Sequence, residues 1–409
     1  MTAETELETY PQERPAGRCP FDPPPAYGAW RDDADEGLTK VRLWDDREAW
    51  VATRLEDFKA ILSDDRFSAV WSEHMPTVSA STAAPTPTRS TFLRMDDPEH
   101  ARHRRMIARD FTAPKVEKLR PKIAQLCASM LDAMEEAGPG DADLVELYAQ
   151  ALPSEIACEI LGIPAEDAET FQSHTKTMMR ADVSREEAMA AGKALLGYMT
   201  QLVESKKGID SDDTLSRLVN SAVVKGDLTE QEAVLMGVLL IVGGHETTAN
   251  MVAMGALVLM ENPEQLELFT SRMDDSEFVA NAVDELLRYI SVIIDNLNRV
   301  TLEDVEICGQ EIKQGEGVIL SVPAANRDPR GFEDPDTLDL TRTMGTRHAA
   351  FGYGIHQCLG QVLARAELEI ALPMLFERFP TLRTTQTLDD VEFKDSSIIR
   401  GLHRLPVAW

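Results

Sequence analysis

The densest run of chemically capable residues is Phe351-Gly352-Tyr353-Gly354-Ile355-His356-Gln357-Cys358-Leu359-Gly360, directly before the apolar-periodic stretch LGQVLARAELEIALPMLF. That period predicts a helix over 359–378 and puts Cys358 at its N-terminus. Unpaired N–H groups and the helix dipole stabilise a thiolate there, the form of cysteine that ligates metals and attacks electrophiles. Gly352, Gly354 and Gly360 withdraw Cβ atoms around the sulfur, so that backbone amides or a flat ligand can come close. A lone cysteine is more often a small buried hydrophobe, but the three surrounding glycines weigh against that here.

Three chemistries compete for this thiolate. Zinc asks for four N or S ligands, and only His356 lies at short spacing. A nucleophilic cysteine needs a histidine base nearby in space, which sequence leaves open. A single axial thiolate on haem iron needs one cysteine only and suits the pattern best.

A second cluster, Gly243-Gly244-His245-Glu246-Thr247-Thr248, falls in the middle of the most apolar helical pattern, 229–261. Each glycine inside a helix costs about 1 kcal/mol relative to alanine, so helix stability does not explain the pair. Gly-Gly clears a face for a bulky flat ligand, and threonine hydroxyls can bond back to the i−4 carbonyl and admit a water. An acid beside an alcohol makes this a proton-relay layout; a helix-packing notch with Glu246 in solvent is the competing reading. Glu285 and Arg288 stand three apart on DELLRYI and can pair, a spacing that at exposed sites contributes about 0.3 to 0.5 kcal/mol. His100 and Arg104, one turn apart on the helix opened by Asp97-Pro98-Glu99, can together hold a carboxylate.

The elements that must position these groups are mostly helical, with periods over 98–111, 114–137, 144–162, 164–206 with a break near Ala181, 229–261, 263–272, 276–290 and 359–378. Strand signals are fewer: a hairpin at 41–53 ahead of a helix-like LEDFKAIL, short pieces at 304–307, 310–313 and 317–321, and more near the C-terminus. Residues 1–40 read as an irregular surface arm. The stretches 70–90 and 326–350 read as long loops, of the kind that serve as lids or binding loops. The expected class is mainly α with a smaller β-rich region (41–54, 304–322 and the C-terminal strands) beside a helical part (98–290 and 359–378), the whole of 1–409 forming one domain.

Composition narrows the function. The chain has 409 residues, with 41 Lys plus Arg against 70 Asp plus Glu and a formal charge of −29, so it lacks the basic face that bulk phosphate affinity requires, and no nucleic-acid partner is expected. The longest apolar stretch, Ala233 to Gly244, is shorter than the roughly 20 residues of a membrane-spanning helix. The acidic start MTAETELETY is no secretory signal, which points to the cytoplasm. Five scattered cysteines argue against a disulfide framework.

Taken in order, the His100-x-x-x-Arg104 helix, the Gly-Gly-His-Glu-Thr-Thr helix, the Glu285-x-x-Arg288 pair and the glycine-rich Cys358 loop resemble the cytochrome P450 superfamily, and most closely its soluble bacterial monooxygenases. The likeness runs from the 41–53 hairpin to the C-terminal strands. It implies a P450 fold with haem b between the long central helix and the Cys358 loop with its following helix. By resemblance Cys358 is the axial iron ligand, and Gly243, Gly244 and Gly360 lie against the cofactor. His100, Arg104, Arg299 and His356 match the propionate holders, and Phe351 the aromatic beside the sulfur. Glu246 and Thr247 match the acid and alcohol that deliver protons to dioxygen. Glu285, Arg288 and Arg342 match a structural ion-pair network. The stretch 290–298 lacks a proline that many relatives carry, and Gly243 replaces their usual alanine.

The implied reaction is reductive dioxygen activation, with electrons from NAD(P)H, followed by hydroxylation or epoxidation of a medium-sized hydrophobic molecule; ring closure or coupling, nitric oxide reduction and gas sensing are weaker readings. Candidate pocket walls are the 70–92 loop, Met179 to Val183, Val242, Val292, Ile293, Ile294, Ile398 and Ile399, with Asp295 as a polar anchor. Between Arg102 and Lys122 eight bases face two acids, leaving 33 bases against 68 acids elsewhere. That segment is expected to dock an acidic ferredoxin, itself served by a ferredoxin reductase, through Arg102, Arg105, Arg109 and Lys115. A monomer is expected.

Overall fold

The longest helix of the computed structural model spans 31 residues, Glu230–Met260; the structure describes residues 7–14, 18–32, 37–78, 91–164, 167, 173, 174, 177, 184–294, 297–394 and 399–409. A capping box starts this helix, with the Thr229 hydroxyl accepting from the Glu232 amide and the Glu232 carboxylate accepting from the Thr229 amide. From Ala249 to Leu259 every side chain is buried, as an all-round apolar helix requires. Around it the main core gathers the helices Ala113–Ala137, Ala151–Leu161, Ser276–Ile290 and Gln361–Arg378.

The chain forms the expected α+β architecture, and the strands assemble pieces distant in sequence. We number β1 Leu38–Arg42, β2 Glu48–Ala52, β3 Phe67–Ser68, β4 Asn298–Thr301, β5 Val305–Ile307, β6 Gln310–Ile312, β7 Gly317–Leu320, β8 Arg383–Thr384 and β9 Val407–Ala408. One five-stranded sheet runs β1-β2-β7-β4-β3, and β5-β6 and β8-β9 form two-stranded ribbons. The β1-β2 hairpin is antiparallel, β2 pairs β7 in parallel, and β4 pairs β7 antiparallel with Arg299 opposite Val318.

Several boundaries differ from the sequence reading, each for a local reason. The hairpin begins at Leu38 rather than 41, because Leu38 and Val41 are both fully buried, packing into two different clusters on opposite faces of the strand. The supposed N-terminal arm contains a helix, Pro25–Asp32, whose Tyr27 and Trp30 stack with Tyr10 against the sheet. β4 carries no strand signal in the sequence, because Asn298, Arg299 and Thr301 are polar yet all four of its residues are buried. The expected 98–111 helix is α-helical over Glu99–Ala108 and finishes as a 3₁₀ turn, Arg109–Phe111. The 144–162 helix opens with a π turn, Val145–Ala149. The 164–206 helix is described as Arg185–Ser205, with Ser184 and Glu187 forming its capping box; the break near Ala181 lies outside the described residues.

Candidate functional site

Cys358 sits where the loop meets the helix Gln361–Arg378, its amide donating to the Phe351 carbonyl at 2.8 Å. The side chain is exposed, yet protein surrounds it closely enough that burial raises the thiol pKa, while the amides of Gly360 and Gln361 and the Arg104 and Arg365 guanidinium groups pull it down. The sulfur is thus accessible while protein crowds in around it. The glycines divide their work: a Cβ on Gly352 or Gly360 would meet nothing within 4 Å, whereas one on Gly354, at φ +70°, would stand 2.3 Å from the Leu62 carbonyl. Gly354 therefore seats the loop on the helix Leu55–Ser63 and does not open space at the sulfur.

The central helix packs beside the Cys358 helix. It contacts the Cys358 helix where Gly255 meets Leu372, a Cβ there lying 3.5 Å away. At Gly243 and Gly244, by contrast, a Cβ would find nothing within 4 Å, and both residues are exposed in the middle of a largely buried helix. The helix stays α-helical through the pair. The Thr247 hydroxyl donates to the Gly243 carbonyl at 2.8 Å, which leaves its oxygen free to accept. Glu246 does not reach bulk solvent: its carboxylate meets the Lys394 ammonium at 3.3 Å, both side chains being mostly buried.

A collar of two histidines and two arginines flanks the Cys358 loop. The His100 and His356 rings lie 4.2 Å apart, and His100 Nε2 and His356 Nδ1 are buried without hydrogen-bond partners. Asp97 occupies His100 Nδ1 at 3.1 Å. Arg104 donates to the Gln357 carbonyl at 2.6 Å, and Arg299, buried on β4, donates to the Asn298 carbonyl at 2.9 Å. Burial, with Arg299, His100 and Arg104 adding to it, lowers the His356 pKa to about 3; burial and the neighbouring Arg94 lower that of Arg299 to about 10. Crowded, dehydrated donors of one sign call for an anion. The unpaired imidazole nitrogens, the open glycine faces and the amide-lined sulfur together fit a flat, soft-metal cofactor bearing acid groups.

The support beneath the loop is a buried ion pair. Arg288 grips both Glu285 oxygens at 2.7 and 2.8 Å with both side chains fully buried, and it donates to the carbonyls of Asn326, Pro335 and Thr337. Arg342 reaches the same carboxylate at 3.1 Å. This ties the helix Ser276–Ile290 to the loop leading into Cys358. Phe351 lies between His348 and Arg365, 5.9 Å and 4.5 Å from its ring, and both partners bond Asp284.

Of the candidate pocket residues, Ile293 and Ile399 pair across an isolated bridge and the Arg400 amide donates to the Val292 carbonyl at 2.7 Å. Val292 itself packs in the main core; Ile293, Ile294, Ile399 and Val242 are half-buried. Asp295, Ile398, Met179 to Val183 and residues 79–90 lie outside the described residues. In the basic segment Arg102 bonds the Asp227 carbonyl, Lys115 pairs with Asp212 at 2.8 Å, Arg104 turns inward, and Arg120 is held by Glu117 and Glu369. Arg105 and Arg109 are exposed. Sequence reading missed Lys394, Arg365 and Arg94; Arg365 alone left a signal, lying two helical turns beyond Cys358 on the same face.

The family model described as Cytochrome P450 matches residues 43–400. The chain is 43% identical over 402 residues to cytochrome P450 GfsF of Streptomyces halstedii, covering 98% of this chain and 96% of that protein. It is 38% identical to the 20-oxo-5-O-mycaminosyltylactone 23-monooxygenase of Streptomyces fradiae, covering 96% and 91%. The crystal structure of GfsF superimposes with a TM-score of 0.93 at 42% identity, over 98% of this chain and 100% of that one.

Proposed function

The chain belongs to the cytochrome P450 family, and from that premise we propose that it hydroxylates or epoxidises a medium-sized hydrophobic molecule, using dioxygen and two electrons passed from NAD(P)H through a ferredoxin reductase and a ferredoxin. The family makes it a haem-iron monooxygenase, an oxidoreductase that incorporates oxygen. The observation that carries the reading furthest is the pairing of an exposed Cys358 sulfur, served by the Gly360 and Gln361 amides, with an open Gly243-Gly244 face followed by Glu246 and Thr247 on the neighbouring central helix. Among the described residues no helix is long and apolar enough to cross a membrane. We place the protein in the cytoplasm as a monomer whose whole chain forms one catalytic domain.

Cys358 would ligate the iron of haem b, with Gly243, Gly244 and Gly360 leaving room for the ring. His100, Arg104, Arg299 and His356 would take the two propionates. When bound, the thiolate-ligated haem supplies dioxygen activation, the thiolate favouring O–O cleavage. The protein's own part is to place protons and exclude water. Thr247, its hydrogen committed to the Gly243 carbonyl, presents a lone pair that orders a water. Glu246 is the nearest acid along the helix to recharge it. Phe351, clamped by His348 and Arg365, shields the sulfur, and Glu285, Arg288 and Arg342 keep the loop's approach rigid.

Val242, Ile293, Ile294, Ile399 and the neighbouring Asp295 and Ile398 would line the substrate's side. An apolar lining with few polar anchors suits a terpenoid, steroid or polyketide, and a relative named for a monooxygenation of a tylactone supports the macrocyclic end of that range. Arg102, Arg105, Arg109 and Lys115 would receive the ferredoxin, with Arg105 and Arg109 the exposed pair. The deciding experiment is the carbon monoxide difference spectrum of the reduced protein, with and without Cys358→Ser. A strongly red-shifted Soret band lost in the variant is expected; its absence in wild type with haem bound would refute the thiolate.

A further inference from the structure

Glu246 is gripped from outside its own helix. Lys394 Nζ lies 3.3 Å from Glu246 Oε1 and 3.5 Å from Asn250 Oδ1, so one ammonium bridges two successive turns of the central helix. Lys394 belongs to a C-terminal hairpin whose strands are joined by the Phe393 and Leu402 bridge and by the Lys394 amide donating to the Gly401 carbonyl at 2.9 Å. The base of that hairpin is locked to the helix: a Cβ on Gly401 would stand 1.9 Å from Asn250 Oδ1, leaving no room for any side chain. Its far strand is zipped to the candidate substrate wall through Arg400 to Val292 and Ile399 to Ile293. The ammonium's field is also felt by buried His245, whose pKa falls to about 4 chiefly through burial and then through Lys394.

We propose that Lys394 is a positioning residue that latches Glu246 to the C-terminal hairpin and restrains its proton transfer toward Thr247. The inference rests on the relay role given to Glu246 above. A carboxylate engaged by an ammonium is held in one orientation, so it does not swing freely toward the Thr247 hydroxyl. At 3.3 and 3.5 Å these contacts are long for charge-assisted hydrogen bonds, so a small hairpin movement opens them. Because the same hairpin forms part of the substrate wall, the latch stands between the pocket and the acid.

The test uses the full-length haem-loaded protein with hydrogen peroxide and guaiacol, which bypasses the electron-supplying proteins: peroxide is reduced to two waters while two guaiacol molecules each lose one electron and one proton. Lys394→Met is expected to raise the peroxide-driven rate about threefold to fivefold, the factor by which a partly screened ion pair biases an equilibrium. Lys394→Arg is expected to keep the wild-type rate, and Lys394→Met combined with Glu246→Gln to lose the gain. A thermal double-mutant cycle on the same variants should show coupling between the two positions. An unchanged rate in Lys394→Met, an equal rise in Lys394→Arg, a gain that survives Glu246→Gln, or additive melting temperatures would each overturn the latch. Failure of the parent reading looks different: the wild type itself would lack the thiolate carbon monoxide band.

Discussion

Glu367 carries the most demanding quantitative expectation. It lies nine residues beyond Cys358 on the helix Gln361–Arg378, is 2% exposed, and its Oε2 has no hydrogen-bond partner. Its polar company is neutral: Tyr148, whose hydroxyl donates to the Ala371 carbonyl at 2.8 Å, and Cys127, whose thiol pKa burial raises to about 11. Burial alone lifts the Glu367 pKa from 4.5 to about 8. The sign follows from proton counting. Between those values the native chain keeps a proton that the unfolded chain has released, so stability falls as pH rises, by about 1.4 kcal/mol per pH unit. From pH 5.5 to 7.5 that is about 2.7 kcal/mol. Glu367→Gln removes the titration while leaving any fixed cost of the amide the same at both pH values. With an unfolding entropy of about 2.1 cal/mol/K per residue, a chain this long converts the difference into about 3 °C. The melting temperature of Glu367→Gln relative to wild type should therefore rise by about 3 °C between pH 5.5 and 7.5. A gap that stays constant, or moves the other way, would mean the native carboxyl is ionised and would refute the reasoning.

Other perturbations address the loop, the relay and the partner. Arg288→Ala leaves Glu285 fully buried with only Arg342 and the Asp339 amide beside it, which should cost about 3 to 5 kcal/mol; a loss under about 1 kcal/mol in denaturant melts would show that the network is not structural. Thr247→Ala should preserve the carbon monoxide band while diverting electrons to peroxide, with coupled turnover down about 100-fold, the scale of a lost proton-transfer group; tight coupling in that variant would remove Thr247 from the relay. Arg105→Glu with Arg109→Glu should slow ferredoxin-driven reduction about tenfold or more at low salt and leave peroxide-driven turnover alone. Unchanged reduction kinetics would move the docking site elsewhere.

What could be read in the sequence divides along the range of the interactions involved. Cys358, the Gly243-Gly244 pair and the Glu285 and Arg288 spacing announce themselves because each depends on neighbours within one or two turns, where chain geometry is fixed by the helix. The central helix was legible for the same reason, from the apolar run Ala233 to Gly244 that ends in the Gly243-Gly244 pair. β4 was not, because its buried residues include Asn298, Arg299 and Thr301, which carry no apolar strand pattern, and its partner β7 begins 16 residues after its last residue. Lys394 was invisible because it meets Glu246 across 148 positions, through a hairpin whose register sequence does not encode. Gly354 was misassigned to the sulfur's surroundings: its positive φ and its contact with Leu62 show that it serves the loop's seat.

The residues proposed to hold the cofactor share one physical character, which bears on why so many costly choices coexist among them. Two glycines give up helix stability, His100 and His356 each hold a buried nitrogen unpaired, and Arg299 is dehydrated beside Arg94. A buried unpaired polar group costs about 1 to 3 kcal/mol, so none of these would be tolerated for packing alone. A single ligand with a flat apolar body and two acid groups would answer all of them together: its body would cover the glycines while its carboxylates would pair the imidazoles and the guanidinium groups. The Glu285, Arg288 and Arg342 network then has a clear purpose, since a loop that must present a sulfur and an imidazole toward one ligand has to be fixed by something other than the ligand. Its fully buried charges are satisfied at every oxygen, which makes that support rigid enough to hold the strained groups in place.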